Sequence, residues 1–225
     1  MGYVGQCRGA KMIAHCNAKG LGEMTQPQEF PPRRYPWALD NGAFALWKSG
    51  KPFDGERFAR VCEQARSLDV PPDFVVVPDV VAGGLESLAL SLRWADCIEH
   101  YGFRLALVVQ DGMTPADVAP FIERFAVVFV GGSLDWKLDT MKLWADFAHE
   151  HGCECHVGRL GTANRIRSAK RAGVDSVDSC TPLWSEGNMA RYTGAIEGPA
   201  QGFLWGHLER KAKTLGEVMR TGVTE

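Results

Sequence analysis

The stretch Phe74-Val75-Val76-Val77-Pro78-Asp79 decides the fold class, because it is apolar at five successive positions and ends in a carboxylate. Continuous apolar runs of this length are typical of strands buried on both faces, as in a parallel sheet covered by helices. Similar runs end in a polar side chain or paired glycines at residues 37–40, 105–110, 127–132 and 174–178. In a parallel barrel these ends would meet at one rim, which is where such folds carry their chemistry.

Segments with helical spacing of their apolar side chains separate these runs. Helices are predicted over residues 53–68, 85–100, 114–124, 140–151 and 163–172, and a further strand over 155–158. Strands that alternate with helices indicate βαβ units and a right-handed parallel sheet. We therefore expect an α/β fold, a (β/α)8 TIM-like barrel, in which residues 1–225 form a single domain.

The first 36 residues are irregular by comparison. The segment Lys11-Met12-Ile13-Ala14-His15-Cys16 is a candidate first strand, and residues 26–36 are predicted to form a loop because they contain four prolines. Six strands are clear from Trp37 onward, so this N-terminal part would supply the one or two that complete a barrel. Residues 185–225 are expected to form a C-terminal extension.

Composition and charge exclude several classes of protein. A formal net charge of −2 gives no overall attraction to nucleic acid, so such binding would need a local basic patch. No apolar stretch approaches the ~18 residues of a membrane span, so no membrane partner is expected. The N-terminal residues lack the apolar core of a signal peptide, which favours the cytoplasm.

The cluster Cys153-Glu154-Cys155-His156 contains residue types that bind zinc. A zinc site needs four ligands at workable spacing, and no second Cys pair or His pair follows this cluster. On a strand, Cys153 and Cys155 would simply share one face. We therefore predict buried, reduced cysteines, no metal and no zinc subdomain.

The polar residues at the strand ends suggest a reaction at a sugar carbon. Asp79, Gln110 and a glycine amide together can recognise the edge of a planar heterocycle. Asp40 and Asp178 then remain as general base and nucleophile, the division of labour that two carboxylates use at an anomeric carbon. The alternative is that these carboxylates only cap the helices that follow them.

These motifs resemble those of the tRNA-guanine transglycosylases. Leu39-Asp40-Asn41-Gly42-Ala43-Phe44 is similar to their Asp-Ser-Gly-Gly-Phe motif, and Val108-Val109-Gln110-Asp111-Gly112 to their Val-Gln-Gly-Gly segment. Val130-Gly131-Gly132-Ser133 resembles their Gly-Gly turn. Most specific are residues 156–162 and 172–180, which resemble the family's Met-Gly-Val-Gly stretch and the Gly-Ile-Asp-Met-Phe-Asp-Cys segment around its nucleophile. The ordered set spans residues 37–184.

The resemblance implies a role for each matching residue. Asp178 would be the nucleophile that attacks the sugar C1′, and Asp40 the general acid and base. The substrate-binding residues that the resemblance implies are Asp79, Gln110, Gly131, Gly132, Gly158 and Arg159. The reaction needs no cofactor, and a free 7-deazaguanine base such as preQ0 would be the small-molecule partner.

The chain also departs from the tRNA enzymes. Only about 45 residues follow Asp178, and they contain no cysteine after Cys180 and one histidine, His207, so the family's Cys-x-Cys-x-x-Cys and His zinc site is missing. Asn41 and Ala43 replace the usual Ser and Gly. A shortened relative without zinc is most similar to the DpdA proteins of phages and bacteria, which insert 7-deazaguanines into DNA. The resemblance thus implies DNA rather than tRNA as the polymer, in the cytoplasm of a bacterial cell or phage-infected host.

Contacts to DNA phosphates would come from local basic groups. The candidates are Arg165, Arg167, Lys170 and Arg171 in the helix before the nucleophile strand, with Arg33, Arg34, Lys48 and Lys51 around the Asp40 segment. Trp47, Trp136 and Trp184 follow rim strands and could stack against an extruded nucleotide. The alternatives are a solvated helix face for the basic residues and core packing for the tryptophans.

Two other functions stay open from the sequence. One is a tRNA-guanine transglycosylase or a glycosidase that exchanges bases on free nucleosides. The other is an inactive barrel that binds a modified base or recruits partner enzymes.

Overall fold

The computed structural model describes residues 1–199, which contain eight strands. They are β1 (Gly2–Gly5), β2 (Gly22–Thr25), β3 (Trp37–Leu39), β4 (Val75–Val76), β5 (Leu105–Val109), β6 (Val127–Val130), β7 (Glu154–Val157) and β8 (Ser176–Ser179). All neighbours pair in parallel in sequence order, and the pairing of β1 with β8 closes the barrel. The predicted α/β class and TIM-like barrel are thus confirmed.

Helical segments surround the barrel. They are α1 (Ala10–Ala18), α2 (Ala43–Lys48), α3 (Gly55–Ala65), α4 (Gly84–Ile98), α5 (Pro115–Val118), α6 (Leu134–Glu150), α7 (Ala163–Arg171) and α8 (Glu186–Glu197), with short 3₁₀ turns at Glu99–Tyr101, Ala119–Arg124 and Thr181–Trp184. Within residues 1–199, β2 alone is followed by a loop in place of a helix. In this part of the chain no helix is both long and apolar enough to cross a membrane.

Alternate strand residues point to opposite sides of the barrel wall. The interior cluster consists of Tyr3, Met24, Ala38, Phe74, Val76, Ala106, Val108 and Val127, with Ala126 and Phe129 packed against it. The intervening residues, such as Val4, Leu39 and Val75, belong to the core between strands and helices. Two residues beyond Ala38 and Val108, the same alternation brings Asp40 and Gln110 to the inner side of the carboxyl rim.

The N-terminal part differs from the prediction. The apolar segment at residues 11–16 lies in helix α1 and is not a strand, because Met12, Ile13 and Cys16 follow helical spacing and pack on the outer core. The first two strands are instead β1 and β2. They were not predicted because they contain glycines and lack a continuous apolar run.

The loop after β2 is held by a buried ion pair. Arg34 and Glu23 are both fully enclosed, with 3.3 Å between Arg34 Nε and Glu23 Oε2. The Arg34 guanidinium also donates to the Leu21 carbonyl at 2.9 Å, and Glu23 Oε1 accepts from the Arg33 amide at 3.0 Å. The prediction that Arg34 contacts a phosphate is therefore wrong, because its guanidinium is buried and already bound to Glu23 and to the Leu21 carbonyl.

Two helices at the carboxyl-terminal side have other bounds than predicted. Helix α6 begins at Leu134 and not at residue 140. The prediction missed its first turns because Lys137, which is buried, interrupts their apolar pattern. Helix α8 falls within the expected C-terminal extension but packs on the barrel, where the Tyr192 hydroxyl donates to the Tyr3 carbonyl at 2.9 Å. Residues 200–225 of that extension lie outside the described part.

Candidate active site

The rim of the barrel brings together Asp40, Asp79, Gln110 and Asp178. Asp178 lies in β8 opposite Tyr3 of β1, and its side chain is 15% exposed. Its Oδ1 atom accepts a hydrogen bond from the Arg159 amide and lies within hydrogen-bond distance of His156 Nε2, with both nitrogens 3.1 Å away. Two nitrogens thus converge on one oxygen of this carboxylate.

Asp79 and Gln110 form a second group of hydrogen-bonded side chains. The Gln110 amide donates to Asp79 Oδ2, and the Asn41 amide donates to Asp79 Oδ1 at 2.7 Å. Gln110 Oε1 in turn accepts from the Gly83 amide at 3.2 Å. Burial raises the pKa of Asp79, against the opposing effect of the Asn41 and Gln110 hydrogen bonds. The two predicted base-binding residues thus contact each other. A ligand that binds to both must replace the hydrogen bond between them with hydrogen bonds to its own polar groups.

Asp40 is the carboxyl group best suited to proton transfer. Desolvation by burial, followed by the negative charges of Asp178 and Asp79, raises its pKa to about 7. Backbone hydrogen bonds at Asn41 and Gly42 oppose this shift without cancelling it. A carboxyl group whose pKa lies near neutrality can both donate and accept a proton at the pH of a cell.

Arg159 is the cation at the centre of this acidic rim. Its guanidinium lies 3.9 Å from the centroid of the Phe44 ring and donates to the Gly132 carbonyl at 2.9 Å. Surrounding protein atoms desolvate it and lower its pKa, while the charges of Asp178, Asp40 and Asp79 act in the opposite direction. Its backbone has a φ of 60°, in the left-handed region that non-glycine residues rarely adopt.

Three glycines at the rim pack so closely against neighbouring side chains that no Cβ fits there without a shift. A Cβ at Gly158 would lie 2.7 Å from the Phe129 ring, and one at Gly131 would lie 2.8 Å from Val108. Gly132 has a φ of 68°, and a Cβ there would lie 2.4 Å from the Asp111 carboxylate. That carboxylate accepts from the Ser133 amide at 2.7 Å and fixes the turn.

Two residues that contact this site were missed by the sequence reading. His156 is fully buried inside the barrel and lies between Asp178 and Ser176. Lys137 is 2% exposed, donates to the Gly158 carbonyl at 2.8 Å, and has a pKa that burial lowers to about 8. The inward position of His156 two residues before Gly158 was the signal available for it. No such signal existed for Lys137, because it precedes the helix predicted over residues 140–151.

The basic helix α7 is not a single rim surface. Arg165 lies at its start and is close enough to Lys137 to repel it electrostatically. Lys170 lies at its other end, where it donates to the Ile196 carbonyl at 2.6 Å and to the Gly198 carbonyl. A cleft of about 100 Å³ there is lined by Met1 as well as Lys170, which puts it at the amino-terminal end of the barrel.

Arg167 lies in the middle of helix α7, and Arg171 is its last residue. Arg167 approaches the Asn164 side chain at 3.5 Å, and Arg171 donates to the Ser168 hydroxyl at 2.8 Å. Lys170 therefore contradicts the expectation that all four basic residues face one polymer, because its ammonium group binds carbonyls away from the rim.

The tryptophans also divide into two groups. Trp47 and Trp184 are exposed, at 57% and 75%. Trp136 instead packs on Trp144 with ring centroids 6.2 Å apart, so it belongs to the outer core. Trp47 and Trp184 are thus the two that face solvent after rim strands.

The fold and this arrangement define an α/β barrel with an acidic site at its carboxyl rim. No protein-family model matches the sequence, and no curated protein matches it. Within residues 1–199 no three or more His, Cys, Asp or Glu side chains are arranged to hold a metal ion. Cys153 and Cys155 are buried free thiols, and burial raises the pKa of Cys155 to about 12.

Proposed function

We propose that this protein is a base-exchanging transglycosylase that replaces guanine in DNA by a 7-deazaguanine such as preQ0. The observation that carries the proposal is the pairing at one rim of Asp178 with Asp40. Oδ1 of Asp178 is held by the Arg159 amide and the His156 ring, whereas Asp40 is buried beside other carboxylates and has a pKa of about 7. Carboxyl groups in such different environments are suited to separate roles as nucleophile and proton carrier.

The reaction follows from these two roles. A carboxylate oxygen of Asp178 attacks C1′, the bond from C1′ to the base breaks, and the bonding electrons leave with the base. Protonated Asp40 supplies the proton that the leaving base needs. The incoming base then loses its proton to Asp40 and attacks C1′, and the Asp178 carboxylate leaves. Two displacements give retention at C1′.

The Asp79 and Gln110 pair supplies the recognition of the base. A carboxylate accepts the N–H groups of an amidine-like edge, and a carboxamide both donates and accepts. The hydrogen bond between Asp79 and Gln110 holds both side chains next to each other, so that one edge of a base can bind to both.

The choice of DNA over tRNA rests on the resemblance to shortened relatives without a zinc site. Arg165 at the rim and the exposed Trp47 and Trp184 support a polymer substrate, since cations contact phosphates and exposed rings stack on bases. The proposed partners are accordingly DNA and the free 7-deazaguanine base.

A second candidate is base exchange on free nucleosides. The observation that favours it is the position of Lys170, which binds the carboxyl-terminal end of helix α8 and leaves fewer cations at the rim for a polymer. The two candidates share Asp178 and Asp40 and differ only in the group attached to the sugar.

The test compares three acceptors of labelled guanine and of preQ0: single-stranded DNA, tRNA and free guanosine or deoxyguanosine. Mass spectrometry of each product identifies which acceptor carries the label. The proposal expects label in DNA, lost in Asp178→Asn and kept in the matched control Asp146→Asn, a carboxylate exposed on helix α6. Label only in nucleosides supports the second candidate. Base binding without exchange on any acceptor contradicts both and favours an inactive binding module.

A further inference from the structure

The two oxygens of the Asp178 carboxylate have different surroundings. Both hydrogen bonds to this group converge on Oδ1, one from the His156 ring and one from the Arg159 amide. Within the described residues no hydrogen bond reaches Oδ2. One oxygen is thus held by the protein, and the other is the one available to a substrate.

The His156 ring is fixed on all sides. Its face lies against Phe129, with ring centroids 4.5 Å apart, and Phe74 and Tyr3 approach it at 5.4 and 5.9 Å. Its Nδ1 atom lies 2.8 Å from the Ser176 hydroxyl. Such a ring holds its hydrogen bond in one direction, because no rotation is open to it inside the barrel.

The proton on this ring can be assigned from its partners. The nucleophilic form of Asp178 is a carboxylate, which only accepts hydrogen bonds, so in that form Nε2 carries the hydrogen that points at Asp178. In the neutral ring Nδ1 is then an acceptor, and the Ser176 hydroxyl donates to it. Ser176 therefore completes a chain of donors that ends at Asp178 Oδ1.

The second donor to Oδ1 is held in a comparable way. The peptide between Gly158 and Arg159 presents its N–H to Asp178, while its carbonyl accepts from the buried Lys137 ammonium at 2.8 Å. The strained φ of Arg159 orients that peptide. Two separate supports thus converge on one carboxylate oxygen.

We infer that His156 is a positioning residue that reserves Asp178 Oδ2 for the bond to C1′ and stabilises the carboxylate when it leaves in the second displacement. This inference rests on the proposed function. In the first step Oδ2 bonds to C1′ while the bond to the base breaks, and Oδ1 becomes the carbonyl oxygen of the ester. In the second step the C1′–Oδ2 bond breaks, and its electron pair returns to the carboxylate.

The two steps depend on His156 in different ways. Negative charge leaves Asp178 in the first step and returns to it in the second, so a donor on Oδ1 assists the second transition state most. Loss of the His156 donor should therefore slow release of the ester more than its formation. A merely structural defect would slow both steps alike.

The test uses the full chain as wild type, His156→Phe and His156→Gln, with His149→Phe as the matched control. Phenylalanine keeps an aromatic ring but removes the donor, whereas glutamine restores an N–H donor of similar reach. His149 lies on helix α6 and contacts Asp175, away from Asp178. Without added base, intact-mass spectrometry measures formation of the covalent adduct on a guanine-containing DNA oligonucleotide and on deoxyguanosine. Addition of guanine then gives the release rate.

We expect the ratio of release to formation to fall about tenfold in His156→Phe, to recover in His156→Gln, and to stay unchanged in His149→Phe. A tenfold change corresponds to about 1.4 kcal/mol, close to the lower end of the range for a hydrogen bond to a charged group. An adduct in the wild type with the same ratio in His156→Phe contradicts the inference alone. No adduct in the wild type on either substrate contradicts the proposed function and the inference with it.

If His156→Phe does not fold, the decision passes to His156→Gln and to ¹⁵N spectra of the wild-type ring. A hydrogen on Nε2 and a ratio kept in His156→Gln support the inference. A hydrogen on Nδ1 contradicts it, because Nε2 would then have none to donate to Asp178.

Discussion

The two ends of the barrel treat charge in opposite ways. At the amino-terminal end each carboxylate has its own partner: Asp73 accepts from the Tyr3 hydroxyl at 2.6 Å, Glu154 pairs with Arg104 at 2.8 Å, and Asp175 contacts His149 at 2.9 Å. At the carboxyl rim Asp40, Asp79 and Asp178 all interact with Arg159, and Asp178 also interacts with Lys137. Paired charges at one end favour stability, whereas the raised pKa values of Asp40 and Asp79 at the other end are typical of a functional site.

The largest effect should separate two carboxylates only three positions apart. Asp178→Asn should reduce base exchange by on the order of 10⁴-fold, because an amide cannot form the glycosyl ester. Asp175→Asn should leave exchange unchanged and lower the free energy of unfolding by about 1 kcal/mol, through weaker contacts to the Cys155 amide and His149. Rate measurements and urea unfolding of both variants make the comparison; equal rates in the two variants would contradict it.

The next effect concerns proton transfer. Asp40→Asn should lower the exchange rate by about 10²- to 10³-fold, since the asparagine can neither donate nor accept the proton. The wild-type rate should pass through a maximum near pH 7, because Asp40 must be protonated in one step and ionised in the other. The residual rate of the variant should lose that dependence. A wild-type profile that is flat from pH 5 to 9 would refute the role of Asp40.

The carboxylates at the rim should also lower the free energy of unfolding at neutral pH. The pKa of Asp40 is raised in the folded chain to about 7, so the folded state binds the proton more tightly than the unfolded state does. Between roughly pH 4 and pH 7 the stability that comes from this group therefore falls as pH rises. Asp40→Asn should remove this loss and raise the free energy of unfolding at pH 8 by more than about 1 kcal/mol relative to wild type.

Urea unfolding at pH 5 and pH 8 provides the measurement. The gain in Asp40→Asn should be larger at pH 8 than at pH 5. The control Asp175→Asn, at the opposite end, should show no such gain at either pH. A gain that is equal at both pH values would contradict the raised pKa.

The smallest effect divides helix α7. Arg165→Gln should weaken binding to single-stranded DNA and reduce the slope of log affinity against log salt by about 0.7, the value for one phosphate contact. Lys170→Gln should leave that slope unchanged and lower stability, because its ammonium group binds the end of helix α8. Fluorescence anisotropy over a range of salt concentrations measures both, and a slope that changes in Lys170→Gln alone would reverse this assignment.

The contrast between the two ends also explains what the sequence could predict. Parallel strands that are buried on both faces have continuous apolar sequences. The strands before Asp40, Asp79, Gln110, Gly132 and Asp178 could therefore be predicted. Strands β1 and β2 contain Gly2, Gly5, Gly22 and Glu23 in place of such a run, so they were missed. Helix α1 was mistaken for a strand because a short apolar segment fits either period.

The supports of the site were harder to predict than its carboxylates. His156 contacts Asp178 from strand β7, and Lys137 on helix α6 binds the carbonyl of the Gly158–Arg159 peptide, whose N–H group contacts Asp178. No spacing in the sequence predicts such contacts. Lys170 appeared to belong to a basic surface, and only the packing of α8 on α7 shows that it is engaged elsewhere. Contacts between elements distant in sequence are fixed by tertiary packing, which local patterns do not contain.

The most direct test of the central claim is the position of the covalent bond. Wild-type protein is incubated with a guanine-containing oligonucleotide, then denatured and digested with trypsin and nuclease, and the peptide of residues 172–191 is sequenced by mass spectrometry. The account predicts one sugar adduct, on Asp178, that disappears when excess guanine is added before denaturation. An adduct on Asp175 or any other residue, or rapid exchange without an adduct on Asp178, would contradict it.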